Sequence, residues 1–132
     1  YNAKFMEAED FPHLFDLAVM DVSFISQTLV HSNVSSILKN NGGFVTLIKP
    51  QFECGRSALN SKGVVKGTAH HASAIAKVID SALINGLSCI DITRSPIEGG
   101  SGNTEFIAYF IKEERPKNLV TIEKIKKISQ SK

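Results

Sequence analysis

The chain has 132 residues and a mass of 14.4 kDa, with 42% hydrophobic and 21% charged residues. That length supports one domain with a sizeable core but not two. The balance excludes a disordered tail, a collagen-like fibre and a membrane bundle. The net charge of +2 is unevenly placed: residues 112–132 hold seven Lys/Arg against three Glu, so the basic character belongs to the carboxyl-terminal tail.

The tail is therefore the first candidate for contact with a polyanion, although basic helical tails are more commonly solvated surface. Cys54 and Cys89 fit neither a disulfide framework nor a zinc spacing, which indicates a reducing compartment and a cytoplasmic location. There is no apolar run of transmembrane length, so stable membrane insertion is not expected. The opening YNAKFMEAEDF has neither an initiator methionine nor a signal peptide, and points to a chain cut from something longer.

In chain order, DLAVMDV at 16–22 reads as a buried strand ending at a carboxylate. Val30, Val34, Ile37 and Leu38 follow at helical spacing, and Asn40-Asn41-Gly42-Gly43 is expected to stop that helix. FVTLIKP at 44–50 is a second buried strand closed by Pro50, and residues 51–67 read as a long loop of the kind that is usually functional or mobile. Thr68 can cap a helix whose stripe is Ala72, Ile75, Ala76, Ile79 and Leu83, with Gly86 at its end. Residues 87–94 are a third strand, 95–103 a turn-rich connection, and TEFIAYFI at 104–111 a fourth strand, antiparallel to the third because their separation is too short for a parallel return. Leu119, Ile122, Ile125 and Ile128 then predict an amphipathic helix over 117–130. The order implies an α/β layer, a mostly parallel sheet with one antiparallel strand at its edge.

Ligands in such sheets sit beyond the carboxyl ends of the strands, where Asp21 and Lys49 both fall. Three stretches there join a charge to an apolar strand: MDVSFIS at 20–26, LIKPQFE at 47–53 and GNTEF at 102–106. A charge in that setting is costly unless paired or used. A lysine beside a carboxylate can be positioned for proton transfer, and an Asp21–Lys49 pair with no catalytic role is the bland alternative. Four histidines have no ligand-like spacing, so no metal site is expected. Cys54 follows the second stretch without an identified base, and Ser23 and Ser26 lack a hydrolase elbow.

These stretches resemble the DVSFIS, IKPQFE and GN-x-EF motifs of the TlyA-type (haemolysin A) family within the FtsJ-like ribose 2′-O-methyltransferases. GRSALNSKGVVKG at 55–67 is also similar, and the resemblance covers roughly residues 1–111. It implies the carboxyl-terminal half of a Rossmann-like, S-adenosylmethionine-dependent methyltransferase domain over 1–111, followed by a basic amphipathic tail helix over 112–132. Asp21, Lys49 and Glu105 match the last three members of the family's Lys-Asp-Lys-Glu tetrad. By resemblance, Lys49 activates a ribose 2′-hydroxyl, Asp21 orients that lysine and approaches the methionine end of S-adenosylmethionine, and Glu105 holds lysine and ribose. Ser23 belongs to the cofactor side and, with Phe24, lines the methyl-transfer pocket. Gln51, Arg56, Lys62 and Asn103 are implied RNA contacts, the loop cations Arg56 and Lys62 supplying sequence-independent affinity.

The implied partner is ribosomal RNA or a ribosomal subunit, not DNA. The tetrad's first lysine, the glycine-rich cofactor turn and an amino-terminal RNA-binding domain would lie upstream, so this chain alone is expected to bind cofactor poorly and to be inactive. GGSGN at 99–103 lies between two late strands and is no substitute. The strand at 16–22 would then be an exposed apolar edge, inviting self-association. The alternatives are a non-catalytic RNA-binding or assembly module and a membrane-active haemolysin.

Overall fold

The computed structural model describes residues 14–99 and 102–130. Four strands, β1 (Phe15–Met20), β2 (Leu38–Ile48), β3 (Leu87–Arg94) and β4 (Phe106–Lys112), and three helices, α1 (His31–Ile37), α2 (Thr68–Ile84) and α3 (Ile122–Gln130), follow in the order β1-α1-β2-α2-β3-β4-α3. The sheet order is β1-β2-β4-β3. β1 and β2 are parallel, and β4 runs antiparallel to both β2 and β3. The mostly parallel sheet with one antiparallel strand is therefore present, but the expected position of that strand is corrected. β4 is interior, inserted between β2 and β3, because a short connection fixes the direction of the return without fixing which side of the sheet it takes.

Two local readings also change. Asn40-Asn41-Gly42-Gly43 does not stop a helix; it lies inside β2, where pairing with β1 jumps from Phe15↔Leu38 to Leu17↔Gly43. Asn41 takes a left-handed φ of 69° there, and a Cβ on Gly42 would lie 2.8 Å from the Lys39 carbonyl oxygen. The tetrapeptide thus serves a bulge. α1 ends earlier, at Ile37, where the Leu38 N–H donates to the Ser35 carbonyl and Lys112 Nζ donates to the carbonyls of Ser35 (2.6 Å) and Leu38 (3.0 Å). Gly67, not Thr68, is the cap residue of α2.

The core is one cluster on one face of the sheet. Phe44 and Ile48 of β2, Phe106, Ala108 and Phe110 of β4, and Leu87 and Ile92 of β3 meet Val34, Ile75, Val78, Ile79 and Ile125 from the helices. All three helices feed this cluster, so among the described residues no helix covers the opposite face. Strand alternation puts Val45, Leu47, Ile107, Tyr109 and Ile111 there. The apolar pattern of the 16–22 strand alone reads as buried, but Leu17 and Val19 are 55% and 74% exposed: among the described residues β1 is an edge strand, and both side chains lie on the face without helices, the exposed apolar edge that the resemblance implies.

α3 is shorter than the expected 117–130 helix. Ile125 is buried and Ile128 half-buried, while Leu119 and Ile122 are exposed. Arg94 fastens its end: Nε donates to the Ile128 carbonyl and a terminal nitrogen to that of Ser129, both at 3.1 Å. No described helix is long and apolar enough to cross a membrane.

A buried polar chain underlies α2. Gln27 Nε2 donates to the Leu47 carbonyl at 2.8 Å, which fixes Gln27 Oε1 as the acceptor facing His31 Nε2 at 2.9 Å. His31 is thereby the Nε2–H tautomer, and its Nδ1 accepts from Ser81 Oγ at 2.8 Å. Burial lowers the His31 pKa from 6.5 to about 4. Between those values the unfolded chain binds the proton and the native chain does not, so stability falls as pH drops through that window. By pH 4 the loss is about 3 kcal/mol from this ring alone. Urea melts from pH 7 to 4 should show this slope, and His31→Leu should flatten it; an equal slope in both would refute the assignment.

Candidate active site

Asp21 follows the last residue of β1, Lys49 follows that of β2, and Glu105 precedes the first residue of β4. Because β1 and β2 are parallel and β4 antiparallel to them, these three ends lie at the same edge of the sheet, as the pairing Ile48↔Phe106 requires. The topology alone therefore converges residues 84 positions apart in sequence.

Lys49 Nζ forms an ion pair with Asp21 Oδ1 and donates to Ser23 Oγ at 2.9 Å. The Lys49 side chain is 11% exposed and that of Asp21 60%, so the lysine is sheathed while its counter-ion keeps water. An ammonium has three donors, and these partners take two. Glu105 is buried and accepts a 3.0 Å hydrogen bond from Gln51 Nε2. Gly99 makes room for it, since a Cβ there would sit 1.8 Å from Glu105 Oε2. Gly99 thus has a packing task at the Glu105 carboxylate.

Ser23, Phe24, Lys49, Gln51, Lys62 and Glu105 line one pocket of about 360 Å³. Phe24 stands at its wall, 87% exposed, with a left-handed φ of 70° and its ring centroid 5.2 Å from that of Phe52. A bulky residue in that conformation is an outlier of the sort that clusters at functional sites. Asn103 borders the pocket but is buried, its Oδ1 accepting from Val65 N (3.0 Å) and its Nδ2 donating to the Gly63 carbonyl (3.0 Å), so it pins the 59–65 turn. Arg56 lies exposed on a short 3-10 turn and does not line the pocket.

The expected 51–67 loop is more ordered than it reads, with 3-10 turns at Pro50–Phe52 and Arg56–Ala58 and a bridge Leu59↔Val65. A larger hollow of about 710 Å³ lies by His71, Arg94 and Glu98; of the motif residues only Thr104 lines it, and Asp21, Lys49 and Glu105 do not. Neither thiol is activated: burial raises the Cys54 pKa and pushes Cys89 up to about 12.

Two motif residues given no task by sequence form a buried lock. Glu53 accepts from Ser26 Oγ at 2.5 Å and from Gln27 N at 2.8 Å, and Lys77 of α2 approaches its carboxylate at 3.4 Å. The only sequence signal was their place at the ends of DVSFIS and IKPQFE.

The FtsJ-like methyltransferase profile matches residues 1–112. The chain belongs to that family. Among curated relatives, the Bacillus subtilis protein described as "Putative rRNA methyltransferase YqxC" is 34% identical over 109 residues, 82% of this chain and 39% of its own length. The 16S/23S rRNA (cytidine-2′-O)-methyltransferase TlyA of Mycobacterium tuberculosis is 32% identical over 108 residues, 82% of this chain and 40% of its own. This member of the FtsJ-like family thus spans about two fifths of the length of those relatives.

Among solved structures, a "Putative hemolysin" from Streptococcus thermophilus superposes with a TM-score of 0.92 at 38% identity, over 98% of this chain and 46% of that one. The N-methyltransferase NodS from Bradyrhizobium japonicum matches with a TM-score of 0.52 at 15% identity, over 86% of this chain and 58% of that one, and shows the fold alone. The architecture is that of the Rossmann-like methyltransferase fold, matched over part of the length of these neighbours.

Proposed function

We propose that this chain carries the proton-handling half of an S-adenosylmethionine-dependent ribosomal RNA 2′-O-methyltransferase. The observation that carries the reading is Lys49, held between Asp21 and Ser23 in the pocket that Glu105 closes. The names of TlyA and YqxC support a ribosomal RNA substrate, and TlyA's a ribose 2′-oxygen.

The residues present fit one end of the cofactor. At the tip of β1 an exposed carboxylate and an exposed hydroxyl, Asp21 and Ser23, offer an acceptor and a donor for the ammonium and carboxylate of a methionine moiety. When bound, S-adenosylmethionine supplies an electrophilic methyl group on a sulfonium. Once its resting ammonium has released a proton to solvent, Lys49 Nζ would accept the proton of the ribose 2′-hydroxyl as that oxygen takes up the methyl group. The ammonium so formed lies against Asp21, which stabilises it. Glu105, fixed by Gln51, is placed to hold the ribose in line. Phe24 walls the pocket, and Lys62 at its rim with Arg56 farther out meets the phosphate backbone.

Asp21 and Ser23 serve only the methionine end, so the chain alone should bind the cofactor weakly and be inactive. Titration calorimetry with S-adenosylmethionine, on this chain and on a form extended upstream, tests this. Binding by the extended form alone supports the reading; equal affinity in the short chain refutes the site.

The exposed β1 edge and the uncovered sheet face favour self-association. Val19→Lys should shift the chain toward monomer in light scattering without lowering its melting temperature, since Val19 is already mostly in water. A monomeric wild-type chain would remove this partner.

A further inference from the structure

We infer that Glu53 is a positioning residue that locks the Asp21-bearing segment to the Lys49-bearing turn through Ser26. Residues 21–26 carry Asp21, Ser23 and Phe24; residues 49–53 carry Lys49 and Gln51. Besides the Lys49 contacts and the Phe24–Phe52 ring pair, the Glu53 carboxylate joins these two stretches. Glu53 Oε1 accepts from Ser26 Oγ at 2.5 Å and Oε2 from Gln27 N at 2.8 Å, with a side chain only 2% exposed. The single Ser26 proton goes to that carboxylate, so the hydroxyl of Thr28, 2.7 Å away, donates to Ser26 Oγ, which also caps Thr28 N at 3.2 Å. Lys77 Nζ reaches the carboxylate at 3.4 Å and donates to the Glu53 carbonyl at 3.0 Å, tying the lock to α2.

A buried carboxylate is costly unless every lone pair has work, and here its three partners come from two separate segments, residues 26–27 and α2. Methyl transfer uses neither Ser26 nor Glu53, yet they end two of the motifs. The lock explains their pairing. It holds the two segments at the separation where Lys49 reaches both Asp21 and Ser23, against the left-handed backbone of Phe24 two residues before Ser26. The importance of that separation rests on the proposed function; the lock itself does not.

The test reads the geometry rather than methyl transfer. The intact chain is reductively methylated with formaldehyde, and the rate at each lysine is followed by mass spectrometry at a temperature where all variants remain folded by circular dichroism. Ser26→Ala and Glu53→Gln should each raise the Lys49 rate about fivefold, while Lys126, exposed on α3, keeps its rate. Ser26→Thr retains the hydroxyl and should restore the wild-type value. An unchanged Lys49 rate in both variants, or Lys49 and Lys126 rising together, overturns the inference. Failure of methyl transfer would sink the proposed function and leave these rates as predicted; unchanged rates would sink the lock and leave transfer standing.

Discussion

Lys49→Met is expected to lower RNA methyl transfer by about 10²- to 10⁴-fold, the span associated with losing a positioned proton acceptor, in a form long enough to bind S-adenosylmethionine. Methionine keeps the unbranched stem that fills the strand end and removes only the amine. The partner left behind, Asp21, is mostly solvated, and Ser23 is exposed, so no buried charge is stranded. The melting temperature should therefore hold while turnover collapses, and cofactor affinity should change far less than the rate. Single-turnover transfer from labelled cofactor to ribosomal subunits, beside a thermal melt, checks both. A variant that transfers at the wild-type rate would remove Lys49 from the chemistry and return the Asp21 contact to the status of an ordinary ion pair.

Phe44→Ala should cost about 3–5 kcal/mol, a large part of the roughly 5–15 kcal/mol that holds a typical domain. Phe44 is fully buried at the centre of β2, its ring centroid 5.6 Å from that of Phe110 and 6.2 Å from His31. Truncation opens a cavity between a strand and a helix that cannot close on it, since the ring packs against hydrogen-bonded β4 on one side and the His31–Gln27 chain on the other. The expected result is a urea midpoint shifted far down with an unchanged slope. A loss under about 1 kcal/mol would mean that the site relaxes freely, contrary to close packing.

The strands were legible where an apolar run had a clean end: 87–94 and the charged termini at Asp21 and Lys49 stand close to where pattern placed them. Periodicity failed where two elements abut without a linker. Leu38 fits the stripe of α1 and yet begins β2, and no local signal marks that switch. Asn41 and Gly42 carry the same left-handed signature at a helix end and at a bulge; only β1 alongside distinguishes them. The position of β4 inside the sheet was hidden because separation along the chain constrains direction but not order. At the site, the motifs identified which charges matter, while the Glu53 lock depends on a contact across 27 residues that no periodicity encodes. Asn103 reads as a polar loop residue open to ligand, but both its side-chain atoms are committed to the backbone of residues 63 and 65.

The central place of β4 governs how the molecule comes together in time. The last of the four described strands sits between β2 and β3, so these two have no common neighbour until synthesis has passed residue 112, and the β2–β4 ladder must close a loop of some 60 residues. Lys49 and Glu105 flank the same rung of that ladder, Ile48 opposite Phe106. Their juxtaposition is thus expected to form late in folding, and a fluctuation that peels β4 away would separate them again. Amide exchange along β4 should be as slow as global unfolding permits, and the pocket has no half-assembled form.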